Sequence, residues 1–182
     1  MNHAIPAVVL IGLASSILAA ENPAQTSPVE RGKYLAVTMG CHDCHTPKKM
    51  GPNGPEPDFS RTLIGHPENS KLPAPPKLDG SWVAAGNSDF TAWVGPWGIS
   101  YASNLTPDQN TGLGIWTEEM FLKAMKTGRH MGTSRPILPP MPWPNVGAAT
   151  DADQKALFAY LKSLPPVKNR VPDPVIAPPP AK

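Results

Sequence analysis

The chain has 182 residues and a formal net charge of +2. This length accommodates one domain with a single core. The acidic and basic residues nearly balance, so the strong basic surface of a general nucleic-acid-binding protein is absent and we expect no nucleic-acid partner. Because the chain contains 25 prolines and 15 glycines, we expect only a few short helices.

The first twenty residues resemble an export signal. Residues 4–20 carry no charged side chain, are rich in Ala, Ile, Val and Leu, and end in small residues before Glu21. We therefore predict a signal peptide at residues 1–20, a linker at residues 21–27 and a periplasmic location. If the leader is not cleaved, its apolar length is at the lower limit for a membrane anchor.

A first helix is predicted over residues 29–40, and it leads directly into the only two cysteines of the chain, Cys41 and Cys44. With His45 they form Cys-x-x-Cys-His, the pattern that attaches a c-type haem. Residues three and four apart share one face of a helix, so both sulfurs can reach one porphyrin edge while the imidazole faces the iron. The sequence predicts one covalently attached haem c.

Three other interpretations of the two cysteines are weaker. A zinc site would need a further ligand from a distant part of the chain, and it would leave the spacing of the motif unexplained. A thiol–disulfide oxidoreductase would place the cysteines after a strand in a βαβ unit, a pattern that does not surround residue 41. A structural disulfide closing so small a loop would constrain the unfolded chain only weakly.

Residues 46–116 form a long segment in which proline recurs at short intervals. We predict no regular structure there. A loop of this length ordinarily argues against a compact domain. A haem changes this expectation, because its large apolar faces offer the loop a surface to wrap.

Two further helices have clear boundaries. Thr117 is a plausible N-cap for a helix that ends at Gly128, and Thr150 caps a second helix that ends before Pro165. The second helix has one continuous apolar face, formed by Leu157, Tyr160, Leu161 and Leu164. We predict a domain over residues 28–166, followed by an extended, proline-rich tail at residues 167–182.

The sixth ligand of the iron is sought among seven methionines. Five of them are set aside, because they are the initiator, lie too close to the haem motif, or belong to the helix that ends at Gly128. Met131 and Met141 remain in loops. Met141 lies between Pro140 and Pro142, which stiffen its backbone, so we predict His45 and Met141 as the iron ligands. Met131, His130 or an open position are the alternatives.

The order of several motifs resembles a class I monohaem c-type cytochrome, and is similar to the haem domains in the cytochrome c subunits of periplasmic alcohol and gluconate dehydrogenases. The resemblance covers about residues 28–166. It is carried by Cys41-His42-Asp43-Cys44-His45 with Thr46-Pro47, Asn104-Leu105-Thr106-Pro107-Asp108, Gly112-x-Gly114-x-Trp116-Thr117, Gly128-Arg129 and Pro140-Met141-Pro142-Trp143.

The resemblance implies an all-α, cytochrome c-like fold, with three or four short helices around one haem and long loops rich in proline and glycine. The first and last helices would cross beside the haem, with the region of Gly32 and Tyr34 meeting residues 157–161. Further residues would line the haem or pair with its propionates: Trp97, Tyr101, Asn104, Trp116 and Arg129.

The function predicted from the sequence is single-electron transfer between redox proteins, with a dehydrogenase as donor and an oxidase or another cytochrome as acceptor. Contact with a membrane is expected only through these partners or an uncleaved leader. Because both axial positions would be filled, we expect a carrier and not an enzyme. The alternatives are a haem enzyme with a displaceable sixth ligand (a peroxidase or an oxidase of small sulfur compounds), a thiol–disulfide oxidoreductase and a gas-binding sensor.

Overall fold

Regular structure within residues 26–178, the part of the chain that the computed structural model describes, consists mainly of five helices and six short strands. The predicted signal peptide and most of the predicted linker lie outside the described residues. None of the helices in the described range is long and apolar enough to cross a membrane. The elements in chain order are α1 (Pro28–Thr38), α2 (Cys41–His45), β1 (Lys48–Gly51), β2 (Gly54–Pro57), β3 (Ala85–Gly86), β4 (Ala92–Gly95), β5 (Gly98–Tyr101), α3 (Glu118–Thr127), α4 (Trp143–Gly147), α5 (Asp151–Ser163) and β6 (Val175–Ile176).

Helices α3 and α5 begin and end where their capping residues predicted. The hydroxyl of Thr117 accepts a hydrogen bond from the amide of Met120, and the hydroxyl of Thr150 accepts one from the amide of Asp153. Helix α3 ends at Gly128, whose φ of 65° lies in the left-handed region. The sequence-based predictions of these helices are therefore confirmed.

Helices α1 and α5 cross at very close range. A Cβ atom added at Gly32 would overlap the backbone carbonyl of Ala156, so the contact depends on the missing side chain. An ion pair at the same crossing joins Arg31 to Asp153 at 2.9 Å. Tyr34, which the family resemblance placed at this crossing, is instead 58% exposed. It turns outward beneath the guanidinium of Arg31.

Helices α3 and α5 supply most of the apolar core. The rings of Phe121 and Phe158 pack with their centroids 5.3 Å apart. The rest of this core consists of buried aliphatic and aromatic side chains from α1, α3, α4, α5 and the loops, among them Leu35, Leu63, Leu113, Met125, Val146, Leu157, Tyr160 and Leu161. One side of this cluster remains open and forms the wall of a cavity.

The prediction of an all-α fold is wrong. Helices account for about 33% of the structure and strands for 14%, and the strands form two sheets. One sheet is the β1–β2 hairpin, and the other has the antiparallel order β3-β4-β5-β6. Five strands therefore occupy the segment predicted to be irregular. Each has only two to four residues, too few for an alternating pattern to stand out.

The segment after α5 packs along the domain, and we call residues 167–177 the strap. Asn104 donates a side-chain hydrogen bond to the carbonyl of Val167 at 2.8 Å. The side-chain amide of Asn169 donates to the carbonyls of Ile64 and His66. Strand β6 then extends the second sheet by pairing with β5. The predicted proline-rich tail is thus fastened to the domain as far as the structure describes it.

Candidate haem site

The haem-attachment motif forms its own short helix. Helix α2 contains Cys41, Cys44 and His45, and it follows Gly40, which has a φ of 70°. This left-handed turn separates α2 from α1, so the chain changes direction just before the first cysteine. The two thiols are partly buried and free, and the imidazole is buried. The motif is therefore presented to the interior.

His45 is oriented by one hydrogen bond. Its Nδ1 lies 2.7 Å from the carbonyl oxygen of Ser103. Because a carbonyl oxygen only accepts, Nδ1 carries the proton and Nε2 keeps its lone pair. Burial lowers the pKa of His45, which favours the neutral imidazole that a metal requires. Such an orienting partner behind a metal-binding histidine is the usual arrangement.

The two thiols have raised pKa values, whereas a redox-active dithiol has a thiol with a lowered pKa. Burial raises the pKa of Cys41 to about 11, and burial also raises the pKa of Cys44. A thiol–disulfide oxidoreductase depends on a lowered thiol pKa to supply the attacking thiolate. The site therefore does not favour thiol exchange. Among residues 26–178 no group of three or more His, Cys, Asp or Glu side chains is arranged to hold a metal ion.

A cavity of about 440 Å³ adjoins the motif. Cys41, Cys44 and His45 line one side of it. Its inner wall is apolar and comes from the helical core, with Leu113, Phe121, Met125, Val146, Leu157 and Leu161. An apolar cleft of this size, two thiols and an imidazole with a free nitrogen fit a covalently attached haem.

Both loop methionines considered as iron ligands, Met131 and Met141, reach this cavity. The loop of Met141 is tied to β5, because the hydroxyl of Ser100 donates to the carbonyl of Pro139 at 2.6 Å. On its other side, Trp143 packs against Gly128 at the end of α3. Met131 has a φ of 54°, a left-handed conformation that a non-glycine residue rarely adopts.

Three of the other predicted site residues line the cavity: Tyr101, Asn104 and Trp116. The side-chain oxygen of Asn104 accepts from Thr106, so this amide is engaged within the protein. The ring of Trp116 packs edge-on against the imidazole of His130, with the centroids 5.0 Å apart. Contact of these three side chains with the haem stays a prediction.

Two predicted site residues, Trp97 and Arg129, are not among the residues that line the cavity. The indole of Trp97 donates to the hydroxyl of Ser100. The guanidinium of Arg129 donates to the carbonyl of Ser134. Both side chains therefore have hydrogen-bond partners within the protein.

Several cavity residues were not identified from the sequence. Trp93 on β4 lies beside Cys44, and its indole donates to the carbonyl of Phe90. Arg135 and Arg170 also line the cavity. The local sequence does not indicate a role for Trp93, because its place at the cavity depends on how the chain folds before and after β4. Arg135 precedes the Met141 loop, and this proximity was the one available signal.

Taken together, the attachment helix, the oriented imidazole and the apolar cavity define a protein that carries a covalently bound haem. The cytochrome c family model matches residues 29–165. The chain therefore belongs to the cytochrome c family. Its covalently bound haem c serves electron transfer.

Its curated relatives include proteins with dehydrogenase names. The chain is 39% identical over 144 residues to a nicotinate dehydrogenase subunit of Pseudomonas putida, covering 79% of this chain and 9% of the relative. It is 30% identical over 160 residues to the gluconate 2-dehydrogenase cytochrome c subunit of Pantoea cypripedii, which covers 88% of this chain and 28% of the relative. It is 31% identical over 133 residues to the fructose dehydrogenase cytochrome subunit of Gluconobacter japonicus, which covers 73% of this chain and 20% of the relative. The chain thus spans less than a third of the length of these relatives.

Proposed function

We propose that this protein is a periplasmic monohaem electron carrier whose iron is held by His45 and Met141. The observation that carries the proposal is the shared cavity, whose lining includes both His45, with a free ring nitrogen, and Met141. When bound, haem c supplies a metal centre that gains and loses one electron. A thioether ligand favours the reduced iron and raises the reduction potential.

The residues of this chain would hold the iron ligands still during electron transfer. The carbonyl of Ser103 fixes the imidazole of His45, and the hydroxyl of Ser100 fixes the loop of Met141. The apolar wall of the cavity would keep water from the haem. If His45 and Met141 both held the iron, a substrate would find no free position on the metal. Such a site would favour electron transfer over the peroxidase and sulfur-oxidation alternatives.

We further propose a dehydrogenase as the electron donor and an oxidase or another cytochrome as the acceptor. The support comes from relatives named as subunits of nicotinate, gluconate and fructose dehydrogenases. A redox partner of this kind typically makes a small and transient contact. Reduction of the purified protein by a periplasmic dehydrogenase, followed by stopped-flow absorbance, tests the donor assignment. Absence of reduction by any such dehydrogenase would contradict it.

The periplasmic location rests on the predicted signal at residues 1–20, which lies outside the described residues. Fractionation of cells that produce the full chain tests this part of the proposal. We expect haem-stained protein in the periplasmic fraction. Replacing two apolar residues of the leader, Leu10 and Leu13, by Asp should leave the chain in the cytoplasm without haem. Haem-stained protein from that variant would contradict the export prediction.

Coordination is tested by changing each of the two loop methionines. We expect Met141→Ala to lose the charge-transfer band between methionine sulfur and ferric iron, because its sulfur is the sixth ligand. Met131→Leu, which removes the other loop sulfur, should keep the band. Visible absorption spectra of the oxidised proteins, matured in a periplasm, provide the measurement.

Two outcomes would contradict the proposed coordination. One is loss of the band in Met131→Leu with retention in Met141→Ala, which would assign the ligand to Met131. The other is rapid carbon monoxide binding by the reduced unmodified protein, which would indicate an open sixth position. The second outcome would favour a haem enzyme or a gas-binding sensor.

A further inference from the structure

Two arginines line the cavity, Arg135 and Arg170, and of these Arg135 is partly buried whereas Arg170 is exposed. Among the described residues, the guanidinium of Arg135 donates only to the carbonyl of the next residue, Pro136, at a long distance of 3.4 Å. None of the five ion pairs among residues 26–178 includes it. A partly buried guanidinium without a carboxylate partner is costly unless another anion pairs with it.

The backbone around Arg135 is fixed in a short hairpin. The amide of His130 donates to the carbonyl of Arg135 at 2.9 Å, and Arg129 bridges to Pro136 in antiparallel fashion. Beyond the hairpin, the amide of Ile137 donates to the carbonyl of Gly128 at 2.8 Å. Arg135 therefore lies on a backbone segment that is hydrogen-bonded to residues 128–130, immediately before the loop of Met141.

Haem c carries two propionate groups, which are carboxylates on the porphyrin edge. An arginine fork pairs with a carboxylate through two parallel hydrogen bonds, and the pair is strengthened where water is partly excluded. We propose that Arg135 is the positioning residue that pairs with a haem propionate. The family resemblance suggested Arg129 for this role. The structure instead turns Arg129 away from the cavity, where it donates to the carbonyl of Ser134.

Two other charged groups line the same cavity, Arg170 and Asp173. Arg170 is exposed, so water screens its charge. Asp173 is a carboxylate and repels a propionate. Neither forms an ion pair among the described residues. Arg135 is therefore the better partner, because it is less exposed and is held by the hairpin.

Loss of the Arg135 charge should lower the reduction potential. An unpaired propionate adds negative charge beside the haem, and negative charge stabilises the oxidised state. For Arg135→Gln we expect a threefold or larger change in the one-electron equilibrium constant, which is about 28 mV at ~59 mV per tenfold change. Redox titration of the holoprotein measures this shift. Haem staining of each variant reports covalent attachment separately, so failure of the inference is distinguishable from failure to attach haem.

The matched control is Arg129→Gln, which removes the same charge from the same hairpin but away from the cavity and should leave the potential unchanged. The propionate bending band in the resonance Raman spectrum is a second readout. This band should shift in both Arg135→Gln and Arg135→Lys, because lysine keeps the charge but not the fork. The reduction potential of Arg135→Lys should stay close to that of the unmodified protein. If Arg135→Gln fails to accumulate, the Raman shift of Arg135→Lys alone tests the inference.

Three results would overturn the inference. The first is an unmoved propionate band in the Arg135 variants. The second is a potential shift as large in Arg129→Gln as in Arg135→Gln. The third is a shift of the reduction potential and of the propionate band in Arg170→Gln only. That result would show that Arg170, on the strap, pairs with the propionate in place of Arg135.

Discussion

Single backbone carbonyls and side-chain amides organise the haem site at the scale of individual residues. The carbonyl of Ser103 sets the tautomer of His45, and no property of the serine side chain is involved. The side chain of Asn169 performs a similar task for the strap. It accepts from the amide of Glu68 and donates to two carbonyls, and it is 5% exposed. Such residues hold other segments in place by hydrogen bonding, because buried polar groups need hydrogen-bond partners.

Replacing Asn169 by Ala should destabilise the protein by about 1–3 kcal/mol, because three backbone groups would lose their partner. Thermal or urea unfolding of the holoprotein, followed by circular dichroism, measures the effect. Asn145→Ala is the control, since Asn145 is exposed on α4. Equal stability of the Asn169 and Asn145 variants would show that the strap is not held by this amide.

Local capping rules and distant contacts contribute differently at the scale of elements. Thr117, Gly128 and Thr150 set the ends of α3 and α5 through contacts within a few residues, so these boundaries could be predicted. The strands depend on pairing between segments, and each is too short to reveal a period. The local signals were two Gly-Pro-x-Gly turns: Pro52-Asn53 joins β1 to β2, Pro96-Trp97 joins β4 to β5, and a glycine lies on each side of both turns.

The crossing of α1 and α5 yields a prediction at this scale. Gly32→Ala should destabilise the protein by about 1–3 kcal/mol, because the new methyl group would overlap the carbonyl of Ala156 and force the helices apart. Chemical unfolding of the holoprotein measures the change. The control is Lys33→Ala, which changes an exposed neighbour on α1. A Gly32 variant as stable as the Lys33 variant would contradict the close crossing.

The whole molecule closes around the cavity from three directions. The helical core forms the apolar wall, α2 supplies the attachment site, and the strap covers a further side with Arg170, Val171, Pro172, Asp173 and Pro174. This arrangement explains how so many prolines and glycines are compatible with a compact domain. Long connections that would have no core of their own pack against the cavity and against each other.

Removing residues 167–182 should therefore damage the haem environment. We expect a lower unfolding midpoint and a lower reduction potential, because the truncation removes the partners of Asn104 and Thr106, deletes β6 and admits water to the cavity. Thermal unfolding and redox titration measure both effects. Removing residues 179–182 alone should change neither. Identical behaviour of the two truncated proteins would indicate that the strap has no part in the site.

The sequence by itself determined the cofactor and three of the helices, α1, α3 and α5, but it did not reveal the short helix α4. Cys41, Cys44 and His45 are adjacent along the chain, so their joint chemistry follows from helical spacing alone. The helix ends are equally local. The placement of Met141 in the cavity agrees with the sequence prediction, while its ligation to iron stays a prediction that the absorption spectra test.

Only the tertiary structure decided which distant groups meet at the haem site. Ser103 reaches His45, Trp93 reaches Cys44 and Arg135 enters the cavity because turns and strand pairing bring separate segments together. Long-range contacts also place Arg129 outside the cavity lining and hold the strap against the domain. Backbone carbonyls and packing positions leave no residue-type signal, so contacts of this kind emerge only when the chain is folded.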